Sequence, residues 1–190
     1  MKVSRKQAAE NRERILDVAA QLFREKGFDG IGIADLMKSA GLTHGGFYNQ
    51  FASKEDLAAQ ATARAIEQNG EYWAKVFDSE ADPWRVYVER YLSSAHRDNP
   101  GNGCTFAALG AEAHRHDPAV AKAFTEGLQQ TFDRLEAVVP EMGPGTSRQR
   151  AITAMAALVG ALVMARAVDN PDFSGEIVDA VRTSLRGSAE

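Results

Sequence analysis

The sequence predicts an all-α fold, with a small N-terminal three-helix unit followed by a larger helical domain. Three observations carry this. Each long segment repeats its apolar residues at three- and four-residue spacing, as Ile15, Val18, Ala19, Leu22 and Phe23 do, which is the period of an amphipathic helix. No run of alternating β-branched residues occurs to mark a strand. Capping residues and prolines punctuate the chain at helix-length intervals.

The elements follow in order. The first helix closes at Gly27, a residue suited to a helix C-cap. A second is predicted over 33–40 and a third over 43–50. Ser53 opens a fourth, with Asp56 in capping-box spacing, and this helix reaches Phe77. Asp82-Pro83 pairs an N-cap with a proline at the first helical position and starts a fifth, to His96. The run from Asp98 to Gly103 is a turn cluster. A sixth helix is predicted from Cys104 to Arg115. Asp117-Pro118 repeats the cap-and-proline signal and opens a seventh, to Val139. Pro140 to Gly145 form a loop. Thr146 or Ser147 caps an eighth, to Val168, and Pro171 and Ser174 precede a ninth, to Leu185. The fourth helix joins the expected domains, 1–57 and 58–190, without a flexible linker. Its movement would be felt by the first three helices.

Composition excludes several classes. The chain has 190 residues, 44% hydrophobic and 25% charged, so it is expected to be globular. The apolar stretch 151–168 carries Thr153 and Arg166 and is expected to be too short and too polar for a membrane span. The basic start, with Lys2, Arg5 and Lys6, has no apolar run behind it, so no secretory signal is expected there. A single cysteine, Cys104, forbids an internal disulfide framework, so a cytoplasmic location is expected. Net charge is −4, yet residues 1–16 hold 5 basic and 2 acidic side chains. A cationic end on an acidic body suits contact with a polyanion.

The stretch from Ile33 to Phe51 carries the functional reading. Leu36, Met37 and Ala40 give the second helix an apolar face, and Gly41 stands where the chain turns sharply. Leu42, Phe47 and Phe51 anchor the third helix, with Thr43 as its expected N-cap. His44, Gly45, Gly46, Tyr48, Asn49 and Gln50 are left facing outward. That set suits a DNA major groove: the glycines permit close backbone approach, and His44, Asn49 and Gln50 can bond base edges or phosphates. Tyr48 and Lys54 can bind phosphate oxygens. Two glycines inside a short helix cost roughly 1.5–2 kcal/mol against alanine, which a plain helical hairpin has no reason to accept.

The order and spacing of Ala19, Leu22, Phe23, Gly27-Phe28, Asp35-Leu36, Ala40-Gly41-Leu42-Thr43, Gly45, Phe47-Tyr48, Phe51 and Ser53-Lys54-Glu55-x-Leu57 resemble the DNA-binding region of the tetracycline-repressor (TetR) family. The resemblance covers Arg14 to Leu57. It implies that Thr43, His44, Gly45, Tyr48 and Lys54 contact DNA, and that the body of the chain is a helical ligand-binding and dimerisation domain. Three positions depart from the family pattern: Gly32 stands where Ser or Thr is usual, Met37 where Ala is usual, and Gln50 where His or Tyr is frequent.

The resemblance further implies an inducer pocket among the fourth to seventh helices and a dimer interface on the last two. The pocket candidates are Trp73, Tyr87, Tyr91, Cys104, Phe106, Leu109, Phe124 and Leu128, joined by Tyr72, Phe77 and Phe132, with Glu112 and His114 as possible polar members. An apolar or aromatic inducer is expected. Cys104 at a helix start is a candidate sensing thiol, against its reading as a small packed residue. Ala151, Ala154, Ala157, Leu158, Gly160, Ala161, Leu162 and Ala165 form a small-residue face, and Ile177, Val181 and Leu185 a stripe; these are the expected homodimer surface, or else monomer core.

No nucleophile elbow, phosphate loop or paired-carboxylate signature occurs. His114-x-His116-Asp117 has no matching partner cluster, so neither metal nor cofactor nor catalysis is expected. The expected function is a repressor, bound as a dimer to a palindromic DNA operator and released by a small-molecule inducer. The alternative is an interaction protein of the same fold that has lost specific DNA binding.

Overall fold

The computed structural model describes residues 4–141 and 144–186. Helix α1 spans Arg5–Lys26; Ser4 caps it by accepting from the Gln7 N–H, and Gly27 closes it at φ +77°. Helix α2 spans Ile33–Ser39 and starts at Gly32 without a side-chain cap bond. The segment expected as a third α-helix is a 3₁₀ helix over His44–Asn49, and Thr43 precedes it without making a side-chain cap bond. The reason is Gly45-Gly46, which holds an α-helix poorly, so the short segment tightens into the i→i+3 pattern. Gly46 N–H donates to Thr43 and Gln50 N–H to Phe47.

Helix α3 runs Lys54–Ser79, past the expected domain boundary at Leu57. Ser53 accepts from the Asp56 N–H, while the Asp56 carboxylate accepts from Ala52 N–H, one residue further back than the usual reciprocal bond. Helix α4 spans Pro83–Tyr91, with Asp82 as cap. The fifth predicted helix breaks here: Ser93 caps a separate turn, α5, over Ser94–Arg97. The expected 104–115 helix is also shorter, with α6 over Thr105–Leu109 and a 3₁₀ turn at Ala113–Arg115. Glu112, between them, accepts from the Phe28 N–H at 3.0 Å.

Helix α7 spans Pro118–Glu136 and lies across α3. The crossing is close because Gly127 has no side chain: a Cβ there would stand 2.7 Å from Ile66. Helix α8 spans Ser147–Ala167, opened by a complete Thr146–Gln149 capping box. Of the loop expected at Pro140–Gly145, Met142 and Gly143 lie outside the described residues. Helix α9 spans Pro171–Arg186. Asn170 caps it, accepting from Asp172 and Phe173 N–H. Ser174, expected before this helix, lies inside it and is buried, donating to the Ala165 carbonyl at 2.8 Å.

Two apolar cores result. The first unites α1, α2, Phe47, Phe51 and the N-terminal half of α3, and is closed by Leu109, Ala113, Val120 and Phe124. The second unites α4, α8 and α9 with Leu135 and Val139. Helix α8 corrects two expectations. By length and composition it is apolar enough to cross a membrane, with mean hydropathy 1.5, although the sequence reading held 151–168 too polar. Ala151, Ala154, Leu158, Ala161, Leu162 and Ala165 belong to the monomer core. The outward side instead exposes Ile152, Ala156, Val163 and Met164 around Gly160. A helix apolar on all sides has two faces to bury.

Candidate nucleic-acid interface and ligand cleft

The turn into the recognition segment is built by backbone geometry. Gly41 takes φ +70°. Its N–H meets the Lys38 carbonyl while Leu42 N–H meets Met37 at 2.9 Å, a paired closure that satisfies the end of α2 and needs a residue tolerant of the left-handed region. Phe47 is fully buried and stacks on Phe51, with ring centres 5.7 Å apart. These two rings hold the segment down, leaving Thr43, His44, Gly45, Tyr48 and Asn49 exposed on one outward surface. Tyr48 is 63% exposed, and its ring meets His44 edge-on at 5.9 Å. Met37, larger than the usual alanine, is buried, and its methyl lies beside Gly46, 3.7 Å from where a Cβ would stand, an ordinary contact distance.

Lys54 is the first residue of α3. It is partly buried, and Asp29 lies 3.9 Å from its ammonium, so a phosphate would compete with that carboxylate. The sequence reading missed Arg12. Its guanidinium donates to the Gln50 carbonyl and to Gln60, and lies over the Phe51 ring. No local signal marks it, because its partners stand 38 and 48 residues away.

Residues 15–61 match the family model described as bacterial regulatory proteins, tetR family. This match covers about a quarter of the chain and supports a tetR-type DNA-binding region over those residues. It is 27% identical over 107 residues to the HTH-type transcriptional repressor NemR of Escherichia coli, a match covering 54% of each chain. The chain thus spans about half the length of that relative. An uncharacterised HTH-type transcriptional regulator of Mycobacterium tuberculosis is 25% identical over 167 residues, covering 82% of this chain and 84% of the relative. The crystal structure of a TetR-family transcriptional regulator from Agrobacterium tumefaciens superposes with a TM-score of 0.78 at 22% identity, covering 92% of this chain and 97% of that one. All three are transcriptional regulators by name.

The expected pocket residues divide among three places. Trp73, Tyr91 and Cys104 line an open cleft of about 530 Å³ between α1, α3, α4 and α5. Trp73, Tyr87, Tyr91, Cys104 and Phe106 also surround a gap of only 20 Å³ beneath it, so this aromatic interior is nearly filled. Leu109 and Phe124 pack in the first core, and Leu128 lines neither space. Missed from sequence were the polar walls of the cleft, among them Arg24, Gln68, Asn69 and Arg90.

Cys104 is 4% exposed. Burial pushes its thiol up from the ordinary range, and the Tyr91 hydroxyl and Arg166 only partly oppose this. A thiol raised in this way stays protonated at neutral pH, which favours packing over sensing. His96, eight residues back, and Arg166, remote in sequence, stand beside it. Both His96 ring nitrogens are engaged, Nδ1 with the Tyr91 carbonyl at 2.6 Å and Nε2 accepting from Cys104 N–H at 2.9 Å. Burial lowers the His96 pKa, which matches this neutral tautomer.

Polar ties join the recognition unit to the body. Arg24 donates to the Gly101 carbonyl, and Phe28 N–H to Glu112. Glu55 accepts from Asp117 N–H and pairs with His116, each at 3.0 Å. The Asp117 N–H chiefly, and His116 next, hold the Glu55 carboxyl below its ordinary value. His116 is thus engaged as a tie, and His114 is exposed.

Proposed function

We propose that the chain is a transcriptional repressor that binds a palindromic operator as a homodimer and releases it when a small molecule fills the cleft. One observation carries the DNA-binding reading: His44, Gly45, Tyr48 and Asn49 stand outward on a segment pinned from below by Phe47 and Phe51. A short rigid platform with small and hydrogen-bonding residues suits a major groove. In this reading Thr43 and Lys54 hold phosphates, and residues 1–57 act as the DNA-binding domain with 58–190 as the regulatory one.

The homodimer accounts for the exposed apolar side of α8, continued by Phe173 on α9. Two-fold symmetry there would present two recognition segments to a two-fold symmetric site. Release follows from the continuity of α3 and the ties through Arg24, Phe28 and Glu55: whatever displaces the cleft walls displaces the recognition segment. A ligand shifts that equilibrium only as far as it prefers the non-binding form. The name of NemR as a repressor supports that direction of control. The chain is placed in the cytoplasm, where its operator would be.

Selection of bound fragments from random double-stranded DNA tests the reading. A recovered inverted repeat, shifted by the protein in gel electrophoresis at physiological salt, is the expected result. Recovery of no sequence above background would refute it.

A further inference from the structure

The cleft is rich in donors and free of carboxylates. No Asp or Glu is among its lining residues. Two arginines are. Arg90 is already neutralised, lying 3.0 Å from Glu80 and bonded to the Tyr72 hydroxyl at 2.9 Å. Arg24 is not. Its Nε and Nη2 both go to one acceptor, the Gly101 carbonyl, and it has no ion pair among the described residues. The neighbouring Glu25 carboxylate turns instead to Gln21 at 2.8 Å. Burial disfavours the charged form of Arg24. A half-buried cation hydrogen-bonded only to a neutral carbonyl, with the Glu25 charge near it but no direct ion pair, is only partly compensated.

A second observation points the same way. Tyr91 is 2% exposed, and its hydroxyl has no hydrogen-bond partner meeting normal geometry among the described residues; the Cys104 thiol is its polar neighbour. A buried donor met only by a thiol, a weak acceptor, costs free energy until a better one accepts from it. His96 cannot, since both its ring nitrogens are taken. Flat aromatic surface completes the wall, with Tyr72 and Trp73 edge to face at 5.0 Å. The volume of about 530 Å³ lies within the range of small-molecule sites.

We propose that the cleft binds a small aromatic carboxylate, its anionic group received by Arg24 and its ring set against Trp73 and Tyr72. This rests on the ligand-released reading above and adds an anionic group to the apolar or aromatic inducer expected from sequence. A neutral ligand would bury Arg24 further and leave its charge unmet. A carboxylate meets that charge with a bidentate acceptor. Arg24 also sits on α1, whose N-terminal half carries Arg12 against the recognition segment, so an anion drawing Arg24 off Gly101 acts directly on the DNA-binding unit.

Calorimetric titration with charge-paired probes tests this: benzoate against benzamide, indole-3-acetate against indole-3-acetamide, and inorganic phosphate. The expected result is a carboxylate bound at least about tenfold more tightly than its amide. Arg24→Gln should erase that preference and Arg24→Lys should keep part of it, with folding followed by circular dichroism. Equal or tighter binding of the amides, no binding by any probe, or an undiminished preference in Arg24→Gln overturns the proposal. So does phosphate binding as well as the best carboxylate, which would mark a bare ion site. If Arg24→Gln fails to fold, the carboxylate–amide comparison in the parent decides. A gel shift on the selected DNA is run separately. Operator binding without carboxylate preference defeats this inference alone, and carboxylate preference without operator binding defeats only the DNA reading.

Discussion

The Arg12 guanidinium lies 4.4 Å from the centre of the Phe51 ring while donating to the Gln50 carbonyl. Gln50 ends the recognition segment, so its carbonyl lacks a helical partner, and Arg12 supplies one. The same side chain reaches Gln60, which bonds Asp56 at 2.7 Å, which in turn accepts from Ala52 N–H. One arginine thus clamps both ends of the junction between the recognition segment and α3.

Arg12 should therefore act on DNA binding by positioning. A charge-assisted bond of this kind is worth about 1.5–3 kcal/mol and the ring contact about 0.5–1. Arg12→Leu should lower the thermal midpoint and weaken operator binding, while the slope of log affinity against log salt stays unchanged. Arg12→Lys should restore little, because an ammonium cannot serve both acceptors and the ring. A shallower salt slope in Arg12→Leu would instead make Arg12 a phosphate ligand.

Lys54 and His44 should separate cleanly. Lys54→Ala should weaken all DNA sequences alike and reduce the salt slope by about 0.9, one phosphate's worth. His44→Ala should change which sequences are selected. Asp29→Asn, which frees Lys54 from its neighbour at 3.9 Å, should tighten binding modestly. Unchanged affinity of Lys54→Ala for the selected operator would remove Lys54 from the interface.

The recognition segment was legible because its information is local: Gly41, the glycine pair and the two phenylalanines lie within a dozen residues and each has one physical reason to be there. Helix caps were legible on the same ground, at Ser53, Asp82, Asp117 and Thr146. What failed was tertiary. The break after Tyr91 is fixed by His96 folding back onto the Tyr91 carbonyl, and the shortening of α6 accompanies the Glu112 bond to Phe28. Arg24 could not be placed at the cleft because Gly101 is 77 residues away. The α8 alanines were misassigned for a different reason. A helix apolar on every side carries no periodic signal to tell its core face from its outer one.

Gly45 should trade stability against binding. A Cβ there meets nothing within 4 Å, and its backbone is not in the left-handed region. Gly45→Ala should then stabilise the protein by about 0.5–1 kcal/mol, raising the midpoint by about 1–4 °C, while the added methyl stands off the DNA backbone and weakens operator binding. A variant more stable and equally tight would show that the groove does not approach this glycine.

The α8 surface offers a paired test. Gly160 lies among the exposed Ile152, Val163 and Met164, with open space around it. Gly160→Arg should leave the monomer folded and abolish the dimer in light scattering, since an unpaired charge in an apolar seam costs about 3–5 kcal/mol. Leu162→Arg, at a fully buried position, should unfold the chain instead. A dimer persisting in Gly160→Arg would place the two-fold interface elsewhere.

Glu55 should make the link between the two parts sensitive to acid. Its carboxylate is stabilised by Asp117 N–H first and His116 second, which lowers its pKa from 4.5. A depressed folded-state pKa means the unfolded chain binds the proton more readily, so the stabilisation is present above about pH 4.5 and is lost as pH falls through the folded value. Glu55→Gln keeps an oxygen acceptor but no charge. It should be less stable than the parent at pH 7, and the difference should shrink steadily below pH 4.5. Because the side chain is 41% exposed, solvent screening keeps the effect small, and chemical denaturation at closely spaced pH values is the suitable measurement. The same variant should loosen the tie between α3 and the start of α7, so that operator affinity falls with stability at pH 7. A pH-independent difference between Glu55→Gln and the parent would mean that the Glu55 charge contributes nothing and only the shape of the bond matters.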